Sequence, residues 1–463
     1  MKAKKYITLI MMSCLVVLLS GCMEPIELSK MGIVAGIAID KYRDGYVMTV
    51  QVINPAGVSA SNPNLLPVYS MQAWGESLLV ASNELSNQST QVLFYSHLKA
   101  IIVAEDIARE EGIDDIVDYI MRNPEIRPDI TLLIAQQTSA NNVLNVVTAV
   151  EQIPMSKLDA LTNVNRRRTG IISSFNLYEV MERLHMDGSN IVLNMVSINR
   201  EDEHLPHAQD DGNESVEADE EAKEVEENKN REAGEDESTA LDKKQPAPEE
   251  VMDEIDAAEA DSKEENVELG NEGPTKANIQ EITPPTDIKV ENLAVFKGPK
   301  MVGILNSVEA QAYNMLLGQK NKYWGNVQLK DGQYFASLLI TDVKTKNQTW
   351  LDERKAVVDI AFRGELLEGN YPCNIDNQKN LRDFEDIFAK DIEDKLKTFL
   401  KKTQKEFGSD ISGIGLAVYY ADYKKWRTVS ADWNDLFPEF DIEVNVTVDI
   451  YSTGEIKNYH NLK

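Results

Sequence analysis

The sequence predicts an α+β protein of several modules, each a mainly antiparallel or mixed sheet flanked by helices. Three observations carry that prediction. Short apolar runs rich in β-branched residues recur between turn dipeptides, stretches with apolar residues three and four apart lie between them, and the closing run FDIEVNVTVDIYSTG alternates with period two. With 463 residues, 42% of them hydrophobic, the chain has material for two or three cores.

The elements follow in order. MGIVAGIAID and YVMTVQVIN read as two strands joined at Asp44-Gly45, a hairpin dipeptide. The same turn imitates a calcium loop through Asp40, Asp44 and Gly45. It fails as one, because Tyr42 and Gln51 stand where ligands belong. LPVYSMQAWG reads as a strand, ESLLVASNELSNQ as an amphipathic helix, and LKAIIVAE as a buried strand entering the helix DIAREEGIDDIVDYIMRN, with Asp106 as its expected cap. ITLLIAQ and SANNVLNVVTAV add a strand and a helix, the pattern from Met155 onward turns helical, and IVLNMVSIN reads as a strand.

Structure is expected to resume at about Asp287. LAVFKGPKMVGIL reads as two strand segments around the turn pair Gly298-Pro299, and SVEAQAYNMLLG as a helix stopped by Gly318. The strands YFASLLITDVKTK and KAVVDIAFRGELLE follow. A long helix then runs from Leu381 to Phe407, capped by Asn380 and stopped by Gly408, with Leu381, Phe384, Phe388, Ile392, Leu396, Phe399 and Leu400 on one stripe facing a sheet.

The net charge of −30 is concentrated in one place. Residues 201–270 hold 28 Asp and Glu against 6 Lys and Arg, so they carry 22 of those charges and leave the rest mildly acidic. This stretch has almost no aromatic or branched apolar residues to offset its ordering entropy, and it reads as a disordered, self-repelling insert. A role in gathering Ca²⁺ or basic partners is the competing reading. No basic stripe with interleaved aromatics points to nucleic acid. The expected organisation is a signal peptide at 1–21, an N-terminal domain at 22–152, a middle domain at 153–200 plus 286–328, the acidic insert at 201–285 and a C-terminal domain at 329–463.

The first residues form an export signal. MKAKK is cationic, Tyr6 to Leu19 is apolar but, at roughly 14 residues, short for a membrane span, and Ser20-Gly21 suit a signal peptidase. Leu19-Ser20-Gly21-Cys22 resembles a bacterial lipobox, which implies a diacylglycerol thioether and an N-acyl chain on Cys22. Such a double anchor holds a protein on a membrane stably. A plain secretory signal with an incidental cysteine is the alternative. Cys14 lies in the part removed, so Cys373 is left alone and no intramolecular disulfide can form in the mature chain.

Catalytic signatures are scarce. The sequence has no Walker A run, G-x-S-x-G, H-E-x-x-H or C-x-x-C. Ser96-His97-Leu98-Lys99 matches S-x-x-K but enters an apolar strand and lacks its partner motifs. His204 and His207 border the insert, so metal would need ligands from elsewhere. Gly32 and Gly36 form no dinucleotide fingerprint and read as sites of close approach in a strand. Arg166-Arg167-Arg168 could meet phosphate or form a solvated helix face.

Four segments carry a family resemblance. ELSKMGIVAGIAIDKYRDGYVMTVQVINP behind Cys22, FYSHLKAIIVAEDIAREEGI, YIMRNPEIRPDITLLIA and LAVFKGPKMVGILNSVEAQAYNMLLG resemble, in order, the Ger(x)C family of spore germination receptor C subunits. The acidic insert is longer than is usual there, and Ile304 stands where an aromatic is common. The resemblance implies three α+β domains and a palmitoylated, lipid-anchored protein on the outer side of the cytoplasmic membrane, the inner membrane of the spore. It implies integral membrane A and B subunits as partners in a nutrient receptor, no enzymatic activity, and no cofactor besides the lipid on Cys22. His97, Glu105, Arg122, Glu125, Arg127 and Glu309 are the polar positions of the shared motifs, as partner contacts or as satisfied structural groups. A solute-binding lipoprotein of a transporter, binding a small molecule between two domains, is the alternative.

Overall fold

The computed structural model describes residues 30–54, 67–146, 151, 153–164, 166–199, 287–329, 334–370 and 377–453. All of them belong to one unit, formed by the chain on both sides of residues 201–283. The expected signal peptide, Cys22, the acidic insert, His204, His207 and Cys373 lie outside the described residues.

The first sheet has nine strands. Strands β1 (Met31–Tyr42), β2 (Gly45–Ile53), β3 (Val68–Gly75), β4 (Val92–Phe94), β5 (Ala100–Ala104), β6 (Thr131–Ala135), β7 (Val192–Asn199), β8 (Asp287–Lys297) and β9 (Lys300–Leu305) run in the order β3-β2-β1-β5-β6-β7-β8-β9, with β4 beside the start of β1. The centre, β1-β5-β6-β7, is parallel, and the flanks β1-β2-β3 and β7-β8-β9 are antiparallel. Parallel strands are covered on both faces, which is why these segments read as unbroken apolar runs. In β5, Ile101 and Val103 join one core while Ala100 and Ile102 join the other; in β6, Leu132 and Ile134 alternate likewise with Leu133 and Ala135.

Helices α1 (Leu78–Gln88), α2 (Glu105–Glu110), α3 (Asp114–Arg122), α4 (Ala140–Leu144), α5 (Pro154–Asn163), α6 (Arg166–Thr169) and α7 (Leu177–Leu184) belong to this layer. Helices α1, α2, α3 and α7 bury their apolar residues in the first core, and α4 and α5 in the second. Gly36 is needed for that second face. It lies at a register shift in β1, and the Met155 side chain of α5 fills the space its Cβ would take.

The second sheet has four strands, β10 (Tyr323–Leu329), β11 (Tyr334–Trp350), β12 (Lys355–Gly369) and β13 (Asp441–Ser452), in that order. The first three are antiparallel, and β13 lies parallel to β12. Helices α8 (Ser307–Leu316) and α9 (Gln378–Lys402) cover it, and α9 buries Phe384, Phe388, Ile392, Leu396, Phe399 and Leu400, the stripe its spacing predicted. Helices α10 (Ile414–Ala421), α11 (Tyr423–Val429) and α12 (Trp433–Leu436) close a small aromatic core around Trp426, Trp433, Phe437 and Phe440.

The α+β class stands, with mixed and antiparallel sheets flanked by helices. Several local expectations are corrected. The first hairpin turns at Arg43-Asp44, with Arg43 at φ 53°, and Gly45 already pairs with Tyr42. A glycine is required at 45 because a Cβ would strike the Gly75 carbonyl. The single helix expected after β5 is two, because Gly112 takes φ 105° and ends the first turn-and-a-half. Its cap is not Asp106, which sits inside the first turn, but the backbone of Ala104. The cap of α9 is Asn377, whose side chain accepts from Lys379 N–H, rather than Asn380. That helix ends in a π-helical turn, Thr403–Phe407, before Gly408 at φ 55°. The first two expected modules share one sheet: β7, β8 and β9 continue the row from β6, since β6 leaves an edge that β7 can pair.

Candidate functional site

A parallel sheet has two unlike ends, and the entry loops of its strands gather at one of them. In this fold Gly36, Ala100, Thr131 and Val192 lie nearly level in the register of β1, β5, β6 and β7. The turn Ser96–His97 precedes β5, residues 123–130 precede β6, and β1 begins at Met31 at this same end. Four of the polar positions singled out in the sequence, His97, Arg122, Glu125 and Arg127, therefore belong to one end of the sheet, and all four are exposed.

Their partners are local. His97 lies beside Phe94, ring centroids 6.0 Å apart. Arg122 Nε donates to Asp118 Oδ2 at 2.7 Å, one helical turn back on α3. That hydrogen bond, with the Arg122 charge and His185 nearby, holds the Asp118 carboxyl below its ordinary value, and the same bond with the Asp118 charge raises Arg122. Glu125 N–H donates to Asn123 Oδ1 at 3.0 Å, and Arg127 pairs with Asp129 at 2.5 Å. Exposed pairs of this kind contribute little to stability and leave the charges available to a partner.

The other two positions lie elsewhere. Glu105 starts α2 at the opposite end of β5, where it accepts from Arg109 Nε at 2.8 Å and from Gln137 N–H at 3.3 Å. Close by, Asp40 accepts the N–H groups of Ala140 and Asn141 at 2.7 and 2.8 Å. Burial raises its pKa, and those two bonds oppose the rise. Glu309 closes a capping box with Asn306 at the start of α8, and its carboxylate takes Lys402 Nζ of α9 at 2.9 and 3.1 Å.

Ser96-x-x-Lys99 is not on a helix: Ser96 lies in a turn and Lys99 N–H donates to the Ala35 carbonyl at 2.9 Å. Among the described residues no three His, Cys, Asp or Glu side chains converge as metal ligands, and no helix is long and apolar enough to cross a membrane. Arg166 reaches the Ser174 carbonyl at 3.5 Å on the short helix α6.

Two features escaped the sequence reading. Strand β10 alternates buried Tyr323, Gly325 and Val327 with exposed Trp324, Asn326 and Gln328, a period-two signal masked by Gly and Asn. Near the C-terminus, the aromatic run from Tyr419 to Trp426 presents Tyr420 at 76% and Tyr423 at 56% exposure; its density of aromatic residues was the available signal.

Comparison with known proteins decides the family. The spore germination protein N-terminal domain matches residues 24–198, and the spore germination B3/GerAC-like C-terminal domain matches residues 291–454. The chain belongs to the Ger(x)C family of spore germination proteins. The two Ger(x)C regions meet inside one sheet, the first ending in β7 and the second beginning in β8.

The chain is similar to three Bacillus subtilis (strain 168) proteins of this kind. Spore germination protein KC is 28% identical over 39% of this chain and 46% of its own length. Spore germination protein YndF is 21% identical over 98% and 99%, and spore germination protein B3 is 20% identical over 95% of each. The crystal structure of the GerBC protein covers 90% of this chain and 97% of that one, at 16% identity and a TM-score of 0.45.

Proposed function

We propose that this Ger(x)C chain is the non-enzymatic, lipid-anchored subunit of a membrane nutrient receptor that triggers spore germination. The observation that carries the reading is the pair of family regions, in order at 24–198 and 291–454, behind Leu19-Ser20-Gly21-Cys22. The lipid on Cys22 would hold the body on the outer side of the cytoplasmic membrane of the spore. Eight residues lie between Cys22 and Met31, and the nine Cα steps give a tether of about 30 Å at full extension. The end of the sheet that carries His97, Arg122, Glu125 and Arg127 is the end the tether enters. It is therefore the face we assign to contact with the integral membrane A and B subunits.

The test is a pull-down of the C-terminally tagged chain from detergent-solubilised spore membranes, with mass spectrometry of what accompanies it. Two multi-span proteins in comparable amounts are expected, and Arg122→Glu combined with Arg127→Glu should reduce them. Recovery of a permease and an ATPase instead would favour a solute-binding lipoprotein, as would a small molecule bound by the isolated chain.

A further inference from the structure

Among the described residues strand β10 is one edge of the four-stranded sheet, and its backbone shows which of its groups turn away from β11. Trp324 N–H points away from β11, because it donates to Gln311 Oε1 of α8 at 3.3 Å. In a strand, N–H and C=O of one residue point to the same side, and the side alternates along the chain. Asn326 and Gln328 therefore turn their N–H and C=O outward as well. Strand β11 gives the same answer independently. Phe335, opposite Gln328, sends its N–H to Asn370 Oδ1 at 2.7 Å and receives Asn370 N–H on its carbonyl at 3.1 Å, both on the β12 side. Gln328 thus faces no ladder bond from β11.

An open groove of about 980 Å³ reaches this edge from across the sheet, with Asn326 and Gln328 of β10, Phe335 of β11 and Glu368 of β12 on the sheet side and Asp386 and Lys390 of α9 on the other. It adjoins a second cavity of about 310 Å³ under α8, and Asn326 lines both. A strand edge flanked by a helix is the arrangement in which extended peptides add to a sheet, main-chain bonds supplying affinity and side-chain pockets specificity. Proteins commonly blunt such edges with Lys, Pro or a bulge. The sequence of β10, YWGNVQL, has neither residue, and its register with β11 is unbroken.

The groove also has a chemical character. Phe335 and Ile387, 38% and 39% exposed, give it apolar surface, and Trp324, 48% exposed, lines the adjoining cavity. Its lining holds the carboxylates of Glu368, Asp386, Asp391 and Asp394; Lys390 pairs with Asp394 at 3.1 Å and Lys395 of the adjoining cavity with Asp391 at 2.6 Å, which leaves two net negative charges, those of Glu368 and Asp386. Acidic walls with apolar patches complement a basic, apolar strand and disfavour the chain's own acidic segment.

We propose that the groove between β10 and α9 receives an extended segment of a partner protein, with lysine or arginine alternating with apolar residues, which pairs with Asn326 and Gln328 as a fifth strand. This goes beyond the receptor reading and does not need it.

The test uses the full mature chain and a synthetic nonapeptide alternating lysine with valine and threonine, against a counterpart carrying glutamate for lysine. Binding is measured by titration, and the contact by hydrogen exchange at the Asn326 and Gln328 amides. Asn326→Pro removes an outward donor that no ladder bond uses, so the sheet keeps its pairing. Asp386→Lys is an exposed second variant that reverses one wall charge. The lysine peptide is expected to bind, to slow exchange at both amides, and to bind at least tenfold more weakly to each variant and at higher salt. Equal binding of the glutamate peptide, unchanged exchange at those amides, no binding at millimolar peptide, or variants that bind like the parent would each overturn the proposal.

Discussion

Asn199 and Asp287 face each other across the antiparallel pair β7-β8, so the chain leaves the sheet and rejoins it at neighbouring positions. The intervening residues 200–286 need not span any distance. Replacing them with a four-residue turn should preserve the fold. Loop closure alone predicts a gain of roughly 2–3 kcal/mol, and the loss of 22 net negative charges from 201–270 adds to it. Thermal unfolding of the shortened chain checks this; a lower Tm than the parent would show that the segment supports the body.

Cys22 is the proposed point of lipid attachment. Cys22→Ala is expected to leave a folded body that moves from the spore membrane fraction to the soluble fraction, with a weakened nutrient response. Retention of the variant on salt-washed membranes would remove the anchor from the account.

Asp410 is buried, yet its carboxylate accepts four bonds: Ser412 N–H at 3.1 Å, Ser412 Oγ–H at 2.7 Å, Gly415 N–H at 2.6 Å and Trp433 Nε1–H at 2.9 Å. Asp410→Ala would strand those donors in the interior. Bonds to a charged group contribute about 1.5–3 kcal/mol each and are not additive, so a loss of about 3 kcal/mol or more is expected. The urea midpoint measures it, and a shift worth less than 1 kcal/mol would mean that water replaces the carboxylate without penalty.

Gly36→Ala should cost about 1–3 kcal/mol by overpacking, because its Cβ would meet the Met155 and Leu144 side chains. Met155→Ala opens that space. The double variant should be more stable than the sum of the single losses predicts; strict additivity in a denaturation cycle would place the strain in the backbone instead.

Tyr95 bears on alkaline stability. Burial pushes its phenol up to about 12, from an ordinary value of 10. Between those values the unfolded chain loses the proton and the folded chain keeps it, so stability is full below pH 10 and falls as pH rises toward 12, by about 1.4 kcal/mol per pH unit for one group. Burial raises Tyr313 and Tyr323 in the same direction. Tyr95→Phe should flatten the decline in this window, as read from unfolding midpoints at several pH values; parallel curves for parent and variant would assign the effect to the other tyrosines.

Much of the fold was legible because its signals are local. Strands β1, β2, β5 and β6 carry unbroken apolar runs, the α9 stripe repeats at three and four, and Gly298 and Gly318, at φ 59° and 63°, sit where the chain must turn or stop. Less was legible of the candidate site. The motif positions His97, Arg122, Glu125 and Arg127 could be named, but their common end follows from β5 and β6 being neighbours. The short helices over 414–436 and strand β10 were missed, since their residues become buried or exposed only against distant partners such as Phe388 and Gly188.

The sequence by itself determined the class of the protein, the confinement of charge to one acidic segment, and the type of most elements, all set by residues within a turn or two of each other. The tertiary structure alone decided which strands are neighbours. It joined β7 and β8 across residues 200–286, placed Lys157 Nζ 2.5 Å from Asp287, and, among the described residues, left β10 with a partner strand on one side only. The physical reason is that propensity and periodicity act over a few residues. Sheet order, by contrast, depends on which distant apolar faces bury one another most completely, and no short stretch of sequence contains that comparison.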